Sequence, residues 1–370
     1  MGVPGVSVIV SVLNGARFLP HISDCLKSQG YSDYEAVFVV SSKCSDDTLE
    51  VAKGLSEGDA RFRTVEYLDT GALGGSKNRG IDEAKGRFLW FLDVDDTPSE
   101  DFLGKMTSIM EEHGADIAGC NYIICSDDRP FREVPGDYGV RTMTSEEALM
   151  ARAEERYPVT SWSMLYDRGF VEREGLRFPE GLHEDIEFTY RALAAAEKVC
   201  FYDRPLYGYY INPGSVCRNA SDRDLRARTE VEIYRRLEER LSGQGASRAL
   251  LDRMALTRVR SAGHMTAEGF RRYARSEEFL RDAPKSKRMD WRLEVWSMRH
   301  LPSLYHCAMQ AYFKLLWNRP GTVFSDRGGH RPGVGAPGRP SVSCRSTRWT
   351  ASRPASRPSP RGSRTLSPGL

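Results

Sequence analysis

The sequence predicts an α/β fold: a mostly parallel sheet flanked by helices, with a C-terminal helical region after it. Three observations carry this expectation. Strand-like and helix-like stretches alternate from the start of the chain. The strand-like runs are apolar at consecutive positions, which marks burial on both faces. Beyond residue 222 the apolar runs give way to highly charged stretches of helical character.

Residues 6–13 (VSVIVSVL) form a β-branched run closed by the turn pair Asn14-Gly15. Leu19, Ile22 and Leu26 give residues 17–29 a helical spacing. Residues 35–40 (EAVFVV) read as a second strand, Asp46–Leu55 as a helix and Arg63–Leu68 as a third strand. The glycine-rich loop TGALGGSKNRG then precedes a short helix over Ile81–Lys85 and a strand over Phe88–Leu92. Further helices are expected over Glu146–Arg156 and Asp185–Ala196, a strand over Val199–Tyr202, and helices through 222–285. The organisation that follows is a sheet domain over 1–215, a helical region over 216–320 and a disordered tail over 321–370. Of the 44 residues from 327 onward, 31 are Arg, Pro, Gly or Ser, a composition that cannot build a core.

The 370-residue chain carries a formal net charge of +2, but unevenly. Residues 327–370 hold nine Arg and no acid, which leaves 44 basic against 51 acidic residues in 1–326, a net of −7. A nucleic-acid binder carries its positive charge on the folded part, so a nucleic-acid partner is not expected. The eight cysteines show neither CxxC pairs nor zinc spacing and read as free thiols of a reducing compartment. The N-terminal apolar run lacks a preceding basic region, and no stretch has the length of a membrane span. The expected location is the cytoplasm, or the inner face of a membrane as a peripheral protein.

The chemistry is concentrated in GRFLWFLDVDD, residues 86–96. An apolar strand ends in Asp93, Asp95 and Asp96. Ligands of open α/β sheets bind beyond the carboxyl ends of the strands, and this is such an end. Three acids in four positions either cap the next helix as a solvated turn or hold a hard divalent cation. Mg²⁺ and Mn²⁺ take carboxylate and phosphate oxygens, so a diphosphate would complete the coordination sphere.

Three motifs in this order, VSVIVSVLNGARFL, GGSKNRGIDEAKGRFLWFLDVDD and PEGLHEDIEFTYRAL, resemble the family-two inverting glycosyltransferases of GT-A fold over about residues 5–215. The resemblance implies a nucleotide-diphospho-sugar donor, taken here as a UDP-sugar, with Mn²⁺ or Mg²⁺ as cofactor and a hydroxyl of a glycan or lipid-linked acceptor as the other partner. It implies cell-surface polysaccharide biosynthesis as the setting. Asp93, Asp95 and Asp96 match the aspartates that hold the metal and the donor. Lys77-Asn78 stands where the family has Arg-Asn, and Lys keeps the charge without the bidentate fork. Asn14, Ser41 and Ser42 fall at donor-binding positions.

Glu184-Asp185 matches the family's Glu-Asp pair, of which the Asp is the expected base and Glu184 its neighbour in the catalytic pair. A sugar hydroxyl is a weak nucleophile, so a placed carboxylate must take its proton. The same pair also suits the first turn of an exposed helix. At Ser41-Ser42 the chain departs from the family, which has two aspartates there; hydroxyls lack their charge-assisted hydrogen bonds. Trp162 suits either the wall of an acceptor pocket or a core position. Residues 303–317 suit either a helix packed on the catalytic domain or an interfacial helix, which would bring membrane contact through 291–318 and the basic tail. Two rival functions share these residues: a nucleotidyltransferase-like enzyme of phosphate esters, and a non-catalytic sugar-binding relative.

Overall fold

The computed structural model describes residues 2–70, 74–158, 160–212 and 223–317, with side chains to 312. The expected tail, and the expected boundaries at 215 and 320, lie outside the described residues. In chain order the strands are β1 (Val6–Val12), β2 (Tyr34–Ser41), β3 (Phe62–Tyr67), β4 (Phe88–Asp93), β5 (Thr97–Pro98), β6 (Ile117–Cys125), β7 (Val140–Met143), β8 (Met164–Asp167) and β9 (Val199–Tyr210). The helices among them are α1 (Leu19–Lys27), α2 (Thr48–Gly58), α3 (Gly75–Glu83), α4 (Phe102–His113), α5 (Ser145–Ala153), α6 (Arg168–Arg173) and α7 (Glu184–Ala195). After β9 come α8 (Arg223–Gly243), α9 (Arg248–Ser261), α10 (Ala267–Arg275), α11 (Glu277–Asp282), α12 (Met289–His300) and α13 (Pro302–Trp317).

One sheet runs β3-β2-β1-β4-β8-β6-β9-β5, with β7 on β9. The half built from β3, β2, β1 and β4 is entirely parallel, as the continuous apolar runs require. β8 enters antiparallel between β4 and β6, and β6 then pairs parallel with β9. Alternate residues feed two cores. Val8, Val10, Phe38, Trp90 and Leu92 pack under α1 and α4. Ile9, Val37, Leu89 and Phe91 face α3, α5 and α7 on the other side. Each fully buried side chain of this kind is worth about 1.5–3 kcal/mol.

Three elements differ from the sequence expectation in ways that matter to the site. Helix α3 begins at Gly75, six residues before the expected start, so Lys77 and Asn78 sit in its first turns. Two glycines hide this helix from propensity, and both are needed for close approach. A Cβ at Gly74 would come within 2.5 Å of the Pro179 carbonyl, and one at Gly80 would collide with Ile9 of β1. Strand β9 continues to Tyr210 past Pro205, because the ladder shifts register opposite Asn121 and the proline needs no donor there. The Asn121 amide donates instead to the Asp203 carbonyl. Strand β6, with Gly119 and Asn121 inside it, has no regular sequence pattern.

Candidate active site

The register sets the stage. Ser11 of β1 lies level with Asp93 of β4 and with Val39 of β2, so the carboxyl ends of these strands open on one edge of the sheet. Asp93 is half-buried at the tip of β4. Its carboxyl is pushed up to about 6, first by burial and then by the nearby Asp95, Asp185 and Glu184, with Lys77 opposing. Asp95 accepts a hydrogen bond from the Asn212 amide at 2.9 Å.

The second half of the cluster comes from α3 and α7. Lys77 Nζ donates to Glu184 Oε1 at 3.1 Å, and the two side chains are 13% and 15% exposed. Burial disfavours the Lys77 charge, but Glu184, Asp93 and Asp185 together hold its ammonium above the ordinary range. Asp185 is raised by burial and by Glu184, against Lys77, His183 and the Ile186 amide. Asp185 Oδ1 accepts from that amide at 2.9 Å, and both acids occupy the first turn of α7, where the helix dipole favours negative charge.

These two halves are joined by Asn78. Its amide donates to the Phe178 carbonyl at 2.9 Å and its oxygen accepts from the Phe178 amide at 2.8 Å. The Phe178 ring stacks on Phe188 of α7 at 3.8 Å and meets Phe91 of β4 edge-on at 4.8 Å. Lys77 Nζ lies 5.1 Å from the same ring. The chain leading into α7 is therefore fixed to both α3 and β4. His183, just before the acids, takes a left-handed conformation with φ of 60°, and its Nε2 is buried with no hydrogen-bond partner among the described residues.

The structure thus brings Asp93, Asp95, Lys77, Glu184 and Asp185 together. Other expected site residues sit elsewhere or are otherwise engaged. Asp96 is fully buried beneath the cluster; the Tyr207 hydroxyl and the Tyr210 amide donate to its two oxygens at 2.6 and 2.7 Å. Asn78 is spent on Phe178. Trp162 is 5% exposed and stacks on Tyr207 and Tyr209 at 4.4 and 5.4 Å, so of its two readings the structure takes the core one.

At the β1–β2 end, Asn14 Oδ1 accepts from the Ser45 amide and hydroxyl at 2.7 and 3.2 Å. The Ser41 hydroxyl donates to Asp69 at 2.7 Å, and Ser42 Oγ accepts from the Asp69 amide at 3.0 Å. Asp69, which follows β3, is a site candidate that sequence reasoning missed. It stands past a strand end just as Asp93 does at one, and that signal was available. In space it returns a carboxylate to the place where Ser41 and Ser42 lack one, with Lys43 Nζ 3.5 Å away.

The donor set at Asp93 and Asp95 is all hard oxygen, with several mutually repelling carboxylates against one ammonium, which fits Mg²⁺ or Mn²⁺. Among the described residues no group of three His, Cys, Asp or Glu side chains forms a metal site by itself.

The sheet order, the acidic strand end and the flanking helices define a GT-A, nucleotide-diphospho-sugar transferase fold. A similar fold is found in the crystal structure of residues 1–349 of TarS from S. aureus in complex with UDP-GlcNAc, with a TM-score of 0.61 at 16% identity over 84% of this chain and 91% of that one. A mannosyltransferase from Pyrobaculum calidifontis, solved with GDP-Man and Mn²⁺, matches with a TM-score of 0.51 at 16% identity over 85% of this chain and 89% of that one. The family model for glycosyl transferase family 2 matches residues 7–173. The uncharacterized glycosyltransferase EpsJ of Bacillus subtilis (strain 168) is 32% identical over 240 residues, which cover 62% of this chain and 69% of EpsJ. The chain belongs to glycosyl transferase family 2, and it is a glycosyltransferase.

Proposed function

We propose that the protein moves a sugar from a nucleotide-diphospho-sugar to a hydroxyl of a glycan or lipid-linked acceptor, with inversion and with a divalent metal, in the building of a surface polysaccharide. The observation that carries the reading is the convergence of Asp93 with Asp185, about 90 residues apart in sequence, on the Lys77 ammonium, with Asp95 beside Asp93.

Asp93 and Asp95 would hold the metal, which supplies charge neutralisation for the diphosphate as it leaves. Lys77 would meet a phosphate oxygen once the donor displaces part of its contact with Glu184. Asp185 accepts the proton of the acceptor hydroxyl, and its raised affinity for protons makes it a stronger base than an ordinary carboxylate. The hydroxyl oxygen bonds to the anomeric carbon on the face opposite the diphosphate, whose C–O bond breaks, so the centre inverts. Ser41, Ser42 and Asp69 seat the nucleotide, with Asn14 shaping the turn beside them. Asp96 serves from below, tying β9 to the metal-binding turn. The nucleotidyltransferase alternative would use the same acids for attack on phosphorus, but it gives no part to Asp185, which the glycosyltransferase reading uses as the acceptor's base.

A panel of nucleotide-sugars with and without Mn²⁺, followed by thermal unfolding, tests this reading. A UDP-sugar is expected to stabilise the protein only with metal. Asp95→Asn is expected to abolish that effect while raising the melting temperature of the metal-free protein, since it removes one of the repelling carboxylates. Equal stabilisation of wild type and Asp95→Asn would remove the metal role.

A further inference from the structure

Helices α12 and α13 both pack on the third hydrophobic cluster, α12 through Trp291, Val295 and Met298 and α13 through Tyr305. Their opposite faces look away from that cluster and are apolar. On α12 the face carries Met289, Leu293 and Trp296, at i, i+4 and i+7; Leu293 is 61% and Trp296 53% exposed. At the junction and at the start of α13 it continues through Leu301 and Leu304, with Leu304 67% exposed. Scattered surface leucines need no explanation, but five large apolar side chains gathered on two packed helices and their junction do.

The charge around this face is one-sided. Lys285, Lys287 and Arg292 are exposed beside it. The two acids of the stretch are already neutralised: Asp290 is held by Arg288 at 2.7 Å and Glu294 by Arg260 at 2.6 Å. The chain up to residue 326 has a net charge of −7, so a cationic, apolar face here runs against its general character. A second copy of the chain would bring like charges together across such a face. An anionic bilayer meets both features, taking Leu and Trp into the interface and the cations against the headgroups. Among the described residues no helix is long and apolar enough to cross a membrane. We infer that the outward face of α12 and α13 is a docking surface for an anionic lipid bilayer, which the helices lie on rather than span.

The inference stands apart from the reading of the active site, because its test needs neither donor nor acceptor. The full chain is floated with vesicles of phosphatidylcholine, with and without phosphatidylglycerol. Wild type is expected to float with the anionic vesicles and to be released by salt. The double variant Leu293→Ser, Trp296→Ser is expected to lose binding at least about tenfold with an unchanged melting temperature, since both side chains are exposed. Removing cations one at a time through Lys285→Gln, Lys287→Gln and Arg292→Gln is expected to weaken binding about fivefold each. Undiminished flotation of these variants would overturn the proposal and assign binding to another surface. Absence of wild-type flotation would overturn it too. So would a dimer in solution that the double variant dissociates, since the face would then belong to a second copy.

Discussion

Lys77 balances three carboxylates from two places in the chain: Glu184 at 3.1 Å with its neighbour Asp185, and Asp93 close by. Replacing it with methionine keeps the stem and removes the charge. Breaking a buried pair typically costs about 3–5 kcal/mol, because the remaining charge is left uncompensated. Lys77→Met is therefore expected to lower the melting temperature of the metal-free protein at pH 7. The loss should shrink toward pH 5. Asp93 has a folded-state value near 6, above the ordinary carboxylate value. For such a group the ionised form costs the fold, and the cost is absent below the unfolded value and complete above the folded one. Acidification thus removes the repulsion that the lysine had balanced. Thermal unfolding in a chelator at the two pH values measures this; equal losses at both would show that Lys77 does not balance these acids. The sequence offered Lys77 and Glu184 as separate candidates. Their contact spans 107 positions and depends on the Asn78 clamp to Phe178, which no local pattern contains.

The elements divide into those written in local pattern and those imposed by packing. β1, β2 and β4 were legible because consecutive apolar residues are the direct consequence of burial on both faces. Helix α7 was legible from its acidic first turn and helical spacing. The start of α3 was not, since Gly74 and Gly80 are there for contact with Phe178, Pro179 and Ile9 rather than for helix propensity. β8 and the far part of β9 are held by partners remote in sequence, and their own residues alternate too little to declare a strand. In the helical region the pattern is charged, and the charge is partly buried. Glu238 of α8 lies 3.1 Å from Arg258 of α9, and burial pushes its carboxyl up to about 8 against that partner. Ionising it costs the fold, so stability should fall as pH rises from the ordinary glutamate range toward 8 and level off above. Glu238→Gln should flatten that decline while keeping the size and shape of the side chain. A pH series of denaturant unfolding for both proteins checks it; parallel curves would contradict it.

At the scale of the whole molecule, the sheet and the first two helix pairs exist to bring three strand ends level, and α7 is folded back over that edge by the aromatic contact of Phe178 with Phe188 and Phe91. The motifs were visible in the sequence because each lies in one short stretch. What they share in space was not visible: that Asp96 supports the turn from below, that Trp162 belongs to the aromatic core, and that Asp69 stands beside Ser41. These depend on β9 and β3, which meet the motifs only in the folded chain. The account rests on Asp185 as the group that takes the acceptor's proton. The most direct measurement is sugar transfer at saturating donor and metal by wild type, Asp185→Asn and Glu184→Gln, with donor affinity recorded for each. The amide is nearly isosteric with the acid and cannot accept the proton. Asp185→Asn is expected to bind donor as wild type does and to transfer sugar about 10²–10⁴-fold more slowly, with a smaller loss in Glu184→Gln. Near-wild-type transfer by Asp185→Asn would contradict the account, and a dead Glu184→Gln beside it would move the base to Glu184.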